Sequence, residues 1–109
     1  MNNDDLQKKV RAGNFVANNG RVLRTINLLR YQYNKLQGIA YALTDLQEDE
    51  FLDCINYLTE AGYIELRHVE TDQAVMDLAD CDYRLLKAKL TAKGIQLLAY
   101  ATKDPLIKV

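Results

Sequence analysis

The sequence predicts an α+β domain, mainly α-helical, with a three-helix core, a two-stranded β-hairpin and a closing C-terminal helix. Three observations predict it. Apolar residues recur at helical spacing in residues 21–34 and 47–60. Directly after Gly62 the spacing changes to alternation, and after Thr91 it returns to helical. A chain of 109 residues, 49% of them hydrophobic, is also sufficient for one hydrophobic core.

The N-terminal residues 1–18 are predicted to form an arm or a short helix ahead of the domain, which spans residues 19–102. Leu6 and Val10 lie four residues apart, as on one helix face. Gly13-Asn14 and then Asn18-Asn19-Gly20 are predicted to interrupt that helix. Residues 103–109 are assigned to a C-terminal tail, which is apolar enough to pack against another surface.

The first core helix is predicted from about Arg21 to Asn34. Its buried stripe should comprise Val22, Ile26, Leu29 and Tyr33, at i, i+4, i+7 and i+11. The following segment, residues 36–45, is short and contains a glycine. The sequence leaves open whether it is a brief helix or a short strand.

The next helix has the clearest boundaries. Thr44 or Asp45 is expected to cap it, and the acidic residues of its first turn suit the positive end of the helix dipole. Its buried side chains are predicted to be Phe51, Leu52, Ile55 and Leu58. Gly62 is expected to end it as a left-handed C-cap.

The hairpin follows at once. Ile64 and Leu66 are predicted to face the core, while Glu65 and Arg67 face outward. In the second strand, the outward residues are Lys87 and Lys89, and the inward ones are Leu86, Ala88 and Leu90. The intervening loop, residues 71–82, is rich in aspartate, and whether it contains a helical turn is left open.

The last helix is predicted from Ala92 to about Thr102. Thr91 can cap its start, and Pro105 prevents its continuation. Most glycines of the chain fit turns or caps. Gly94 lies instead in the first turn of this helix, which indicates close packing there.

Two joints in this order resemble a known fold family. The segment INYLTEAGYIEL (55–66) leads from a helix through glycine into a strand, and LKAKLTAKGIQLL (86–98) leads from a strand into a helix. Both resemble the corresponding joints of winged-helix (winged helix-turn-helix) regulators of the MarR and PadR type. The last twenty residues also look like the ending of small winged-helix proteins encoded by tailed phages and prophages. The resemblance implies a bacterial or phage-type transcriptional regulator that binds DNA.

The charges are segregated along the chain. Residues 1–44 carry seven Lys/Arg and two Asp/Glu. Residues 45–82 carry one Arg and twelve Asp/Glu, and residues 83–109 carry six Lys/Arg and one Asp. The balances of +5, −11 and +5 give the net charge of −1. Such charge blocks indicate which surfaces of the protein could bind a partner, but they do not indicate the fold. The two basic ends are candidates to converge into one patch beside the wing.

Winged-helix proteins place the second helix of the helix-turn-helix in the major groove and the wing against the DNA backbone. The residues expected to contact DNA are Arg67, Arg84, Lys87, Lys89, Gln47 and Asn56. Contact mainly through the basic wing would be strongly salt-dependent. A competing interpretation is that Glu65 forms a solvated cross-strand ion pair with Lys87 or Lys89.

The helix expected to read DNA is itself acidic. Residues 47–60 hold five Asp/Glu and no Lys or Arg, so phosphates flanking a groove would repel this surface. The alternative function is therefore a protein-interaction or phage-assembly module that keeps the fold without reading DNA. Its partner would be a basic protein that binds the helix at 47–60.

No enzymatic activity or cofactor is expected. The chain contains no serine and a single histidine, His68, and Cys54 occupies a packed helix position. The one candidate metal cluster, His68 with Asp80, Cys81 and Asp82, lacks typical ligand spacing, so no metal site is predicted. We further expect reduced thiols, no membrane segment, a cytoplasmic location and a homodimer formed through the N-terminal arm and the C-terminal tail.

Overall fold

A computed structural model describes residues 3–109. The fold is α+β and mainly helical, as predicted. Its helices are α1 (Asn3–Ile26), α2 (Leu36–Ala42), α3 (Glu48–Glu60) and α4 (Ala92–Leu98). Its strands are β1 (Asn34–Lys35), β2 (Ile64–His68), β3 (Ala74–Val75) and β4 (Leu86–Leu90). Short 3-10 turns occupy Asn27–Leu29, Leu78–Asp80 and Tyr83–Leu85.

The sheet has four antiparallel strands in the order β1-β4-β2-β3. The prediction of only two strands was therefore incomplete. The predicted pair forms its centre, with Leu66 opposite Ala88. The two-residue strands β1 and β3 add at its edges, and they are too short to show alternation in the sequence. Strand β3 and the turn at Leu78–Asp80 also answer the open question about loop 71–82.

The core lies between one face of this sheet and the helices. Leu66, Leu86 and Ala88 are almost entirely buried on the sheet side, as the alternation predicted. Helix α3 contributes Phe51 and Ile55. The predicted buried stripe of α3 is confirmed apart from Leu52, which is only half-buried. Cys54 is fully buried in addition to the other predicted residues.

Helix α1 runs without a break through both predicted interruptions. Asn19 is fully buried and its Nδ2 donates to the carbonyl of Leu106, 2.9 Å away. A Cβ on Gly20 would lie 1.8 Å from the carbonyl oxygen of Lys108. The prediction of a break at Asn18–Gly20 was wrong because these small residues make room for the C-terminal tail, and that packing outweighs their weak helix propensity.

The end of α1 was also predicted wrongly. The helix stops at Ile26, and Nδ2 of Asn34 donates to the carbonyls of Ile26 and Leu29 at 3.1 and 3.4 Å. Asn34 thus satisfies carbonyls that a continuing helix would have paired. Leu29 is consequently 54% exposed, and Tyr33 lies on the sheet rather than in a buried helical stripe.

The segment left open at 36–45 is largely helical, because it contains α2. Gln47 rather than Thr44 or Asp45 occupies the N-cap of α3, and its N–H donates to the Glu50 carboxylate at 3.0 Å. Asp45 is engaged elsewhere, since both its carboxylate oxygens accept from Arg21 at 2.8 Å.

Gly62 ends α3 as predicted, with φ of 84°. The N–H of Tyr63 donates to the carbonyl of Leu58 and that of Gly62 to the carbonyl of Thr59, the pair of bonds that defines a Schellman motif. The chain therefore turns directly from α3 into β2, and the joint predicted at residues 55–66 is present.

The second joint packs against the first. Thr91 caps α4, because its Oγ1 accepts from the N–H of Gly94 at 3.2 Å. Its backbone N–H also donates to the carbonyl of Tyr63 at 3.0 Å. The prediction that α4 reaches Thr102 was wrong: the helix ends at Leu98, and exposed Tyr100 adopts a φ of 62° that no helix accommodates.

The tail packs against its own chain rather than projecting as an arm. Ile107 is 5% exposed, and the N–H of Lys108 donates to the carbonyl of Val16 at 3.1 Å. Asp104 Oδ2 accepts from the hydroxyls of Tyr57 and Tyr63 at 2.7 and 2.8 Å. The tail thereby ties α1, α3 and the start of β2 together.

Candidate nucleic-acid interface

The outer face of the sheet carries a cluster of cations around Tyr33. The strand register aligns Lys35, Lys87 and Arg67 in one row across β1, β4 and β2, and it places Lys89 beside Glu65 in the next. The charged groups of Arg67, Lys87 and Lys89 lie 5.1, 5.5 and 5.9 Å from the centre of the Tyr33 ring. These distances suit cation–π attraction. We call these five residues, Tyr33 with Lys35, Arg67, Lys87 and Lys89, the Tyr33 cluster.

Two of the four cations have a carboxylate partner. Asp72, at the turn after β2, contacts Lys87 Nζ at 2.8 Å and Arg67 at 3.2 Å. The hydrogen bond from Lys87, with the charge of Arg67, lowers the pKa of Asp72. Within residues 3–109, Lys35 and Lys89 have no carboxylate within 4.0 Å, so their charges are the most available to an anion.

The ion pair of Glu65 with Lys87 or Lys89, which the competing interpretation proposed, does not form within residues 3–109. The Glu65 carboxylate instead accepts from the Tyr33 hydroxyl at 2.8 Å, although Lys89 is its cross-strand neighbour. Burial and this hydrogen bond raise the pKa of Tyr33, so the phenol stays protonated. Glu65 therefore fixes the ring about which the cations gather.

Sequence reasoning missed Tyr33 because its spacing from Ile26 fitted a helix. The adjacent Asn34 was itself predicted to end that helix, so no local signal placed Tyr33 outside it. Lys35 was missed because β1, with two residues, is too short to be recognised from its pattern.

Arg84 does not belong to the Tyr33 cluster. Its guanidinium lies 3.5 Å from Glu48 at the start of α3 and 3.3 Å from Asp82 in the preceding loop. It also stacks over Tyr83 at 5.2 Å. Arg84 therefore bridges acidic groups, and the structure separates it from the other three predicted wing cations.

The two predicted base-reading residues lie on α3, also away from the cluster. Gln47 is exposed at its N-cap, and Asn56 is exposed near its middle. The spacing of Asn56 from its exposed neighbours puts it on one face with Asp49, Asp53 and Glu60. The outward face of α3 is thus acidic.

Within residues 3–109, the two basic ends of the sequence meet only through Lys35, which lies beside Lys87 in the Tyr33 cluster. Arg11 borders a groove between α1 and α3, fifteen positions before Ile26, or about 22 Å along a helix. Tyr33 and Asn34 lie at the opposite end of α1, where Asn34 bonds to Ile26. Arg21 is held by Asp45. A single patch that unites all the basic residues of both ends, which was one candidate, therefore does not form.

The two other side chains considered for catalysis, Cys54 and His68, are engaged in packing and in hydrogen bonds to the backbone. Burial raises the pKa of Cys54 to about 12, so its thiol is protonated and inert near neutral pH. His68 Nδ1 accepts from the N–H groups of Glu70 and Thr71 at 3.2 and 3.4 Å. No group of three or more His, Cys, Asp or Glu within residues 3–109 is arranged to hold a metal ion.

None of the helices formed by residues 3–109 combines the length and the apolar character needed to cross a membrane. Comparisons of this chain with protein-family models, with curated proteins and with solved structures gave no match.

Proposed function

We propose that this chain is a winged-helix protein of the MarR- and PadR-like kind. The order of its elements supports the proposal: helix, short strand, two helices, a hairpin-centred sheet and a closing helix. The Schellman turn at Gly62 and the Thr91 cap give the two joints on which the resemblance depended. A winged-helix fold alone does not define an activity, which depends on the chemistry of its surfaces.

The function supported best is non-enzymatic binding of DNA through the outer face of the sheet. The observation that carries it is the Tyr33 cluster, in which four cations and an aromatic ring share one face. Phosphate contacts from such cations give affinity without base reading. Because α3 is acidic on its outward face, the duplex would lie against the sheet rather than around this helix. A role in bacterial or phage transcription regulation belongs to the same proposal.

The test is binding of a labelled random-sequence DNA duplex at several salt concentrations. Lys35→Gln with Lys89→Gln removes the two cations of the cluster that have no carboxylate partner. Losing two phosphate contacts should flatten the slope of log K against log salt by about 1.8. The matched control, Lys103→Gln with Lys108→Gln, makes the same charge change in the tail. Equal slopes for the two double variants, or no binding by the wild type at low salt, would overturn the proposal.

A second candidate is the protein-interaction or assembly module. The observation that favours it is the acidic outward face of α3, extended by Asp82, whose carboxylate shares Arg84 with Glu48. In a winged-helix protein that reads DNA, these positions approach phosphates. Here they suit a basic protein surface.

A further inference from the structure

Three large apolar side chains are exposed in the turn that joins α1 to β1. Leu28, Leu29 and Tyr31 are 78%, 54% and 91% exposed, so none of them belongs to the core. Single exposed apolar residues are common on protein surfaces, whereas a group of them indicates a binding surface. None of the three is part of the Tyr33 cluster, and the DNA proposal does not use them.

Leu28 forms a ridge between two shallow depressions. One depression, of about 240 Å³, lies between this turn and α2 and is lined mostly by apolar residues, among them Leu29 and Ala42. The other, of about 250 Å³, is lined by Leu43 and by Arg24 of α1. Leu28 borders both. A ridge with a depression on either side suits an α-helix, whose side chains pack as ridges into grooves.

Both depressions have a positive charge at their edge. Lys35 lines the first and Arg24 lines the second, and no carboxylate lines either. Arg24 and Lys35 are exposed, and within residues 3–109 neither has a carboxylate within 4.0 Å. Arg21 also lines the second depression, but Asp45 neutralises it. The charges of this surface therefore complement an acidic partner.

We propose that this surface binds an acidic amphipathic helix of a protein partner. Apolar side chains of the helix fill the depressions on either side of Leu28, and its carboxylates meet Arg24 and Lys35. A protein segment fits better than nucleic acid, because an apolar centre with a charged rim is the usual composition of a helix-binding groove. Lys35 belongs also to the Tyr33 cluster, so the tests leave it unchanged.

The probe is a fluorescent peptide of leucine and glutamate with blocked ends, in which the leucines follow helical spacing along one face. It is titrated with full-length protein. Arg24→Gln with Leu28→Gln should weaken its binding about tenfold or more, because an apolar contact and a charge contact are lost together. The matched control, Arg11→Gln with Met76→Gln, removes an exposed arginine and an exposed apolar side chain elsewhere, and it should change binding less than twofold. Equal losses in the two double variants, or no binding by the wild type, would overturn the proposal.

The single variants separate the apolar contribution from the electrostatic one. Leu28→Gln should lower the affinity and leave its salt dependence unchanged, whereas Arg24→Gln should make the binding less dependent on salt. A scrambled peptide of the same composition, with its leucines spread around the helix, should bind the wild type about tenfold more weakly. If the two peptides bind equally, the attraction is due to charge alone and the proposal is wrong.

The other possible occupants give different results. Arg24 and Leu28 lie outside the Tyr33 cluster, so their double variant should retain the wild-type salt slope on the DNA duplex. A failure of this surface and a failure of the DNA proposal are then distinguished. If Leu28→Gln dissociates a dimer in sedimentation, the occupant is a second copy of this chain. If the wild type binds phosphatidylserine vesicles but not the peptide, the occupant is a membrane surface. Either result would contradict the proposed partner.

Discussion

Gly94 shows how strictly single positions are determined in this fold. It stands where α4 begins, and a Cβ there would lie 2.2 Å from the carbonyl oxygen of Tyr63 and 3.2 Å from Leu90. That carbonyl is fixed, because it also accepts from the N–H of Thr91. The sequence indicated close packing at Gly94, and the structure identifies the backbone against which it packs.

Gly94→Ala should therefore destabilise the protein. Forcing a methyl group against a fixed carbonyl costs about 1–3 kcal/mol, despite the better helix propensity of alanine. Gly13→Ala is the control, since a Cβ there would meet nothing within 4 Å and should be neutral or slightly stabilising. Urea unfolding curves measure both. A Gly94→Ala midpoint equal to that of the wild type would contradict this account.

At the scale of elements, the strongest predictions came from joints and alternating strands. Gly62, Thr91 and the inward residues of β2 and β4 have the roles that their local patterns predicted. Helix ends were predicted less well. Asn19 and Asn34 are the same residue type, yet one lies inside α1 and the other bonds to the carbonyl at its end. The partner of Asn19 is Leu106, far along the chain, whereas that of Asn34 is Ile26, eight residues earlier.

The tail depends on Asp104. Burial raises the pKa of this carboxyl, but hydrogen bonds from Tyr57, from the N–H of Leu106 and from Tyr63 outweigh burial, and the pKa lies below its ordinary value. A carboxyl whose pKa is lower in the folded state than in the unfolded state stabilises the fold at pH values above its unfolded-state pKa. That contribution is lost as the pH falls through the folded-state pKa.

Asp104→Asn should accordingly lower the free energy of unfolding by about 1–2 kcal/mol at neutral pH. The difference from the wild type should shrink as the pH falls below about 4. Denaturant unfolding across this pH range measures it. Asp77→Asn, in the exposed loop of residues 71–82, is the control and should show little difference at either pH. A deficit that persists unchanged in acid would show that the charge of Asp104 is unimportant.

At the scale of the whole molecule, α1 extends beyond the core. Its 24 residues span about 36 Å of a molecule whose longest dimension is 50 Å. Residues 3–14 are exposed, including Leu6 and Val10 at 54% and 55%. Val10 and Leu6 lie roughly 160° and 200° around the helix from buried Ile26, and hence on its outer side. The exposed stretch, residues 3–14, is a length of helix that would be marginal in water by itself, which favours a covering partner.

We propose that this outer side of α1 pairs two copies of the chain. Leu6→Glu with Val10→Glu should then convert a dimer to a monomer in sedimentation at tens of micromolar. The control is Leu28→Glu, in the 3-10 turn that follows α1, where Leu28 is 78% exposed. Because the tail packs on its own α1, deleting residues 104–109 is expected to destabilise the protomer rather than separate two copies. A wild-type protein that is already monomeric at this concentration would refute the pairing.

The sequence by itself determined the α+β class, the central hairpin, the glycine and threonine joints and the acidic character of α3. Each of these depends on neighbours within a few residues, where spacing and backbone preference dominate. Only the tertiary structure decided that α1 continues through Asn19, that Tyr33 collects cations from β2 and β4 and that Arg84 lies apart from them. Those outcomes depend on partners distant in the sequence, which local patterns do not contain. The same distinction separates the winged-helix prediction, which follows from local joints, from its proposed surfaces, which arise only when the segments meet.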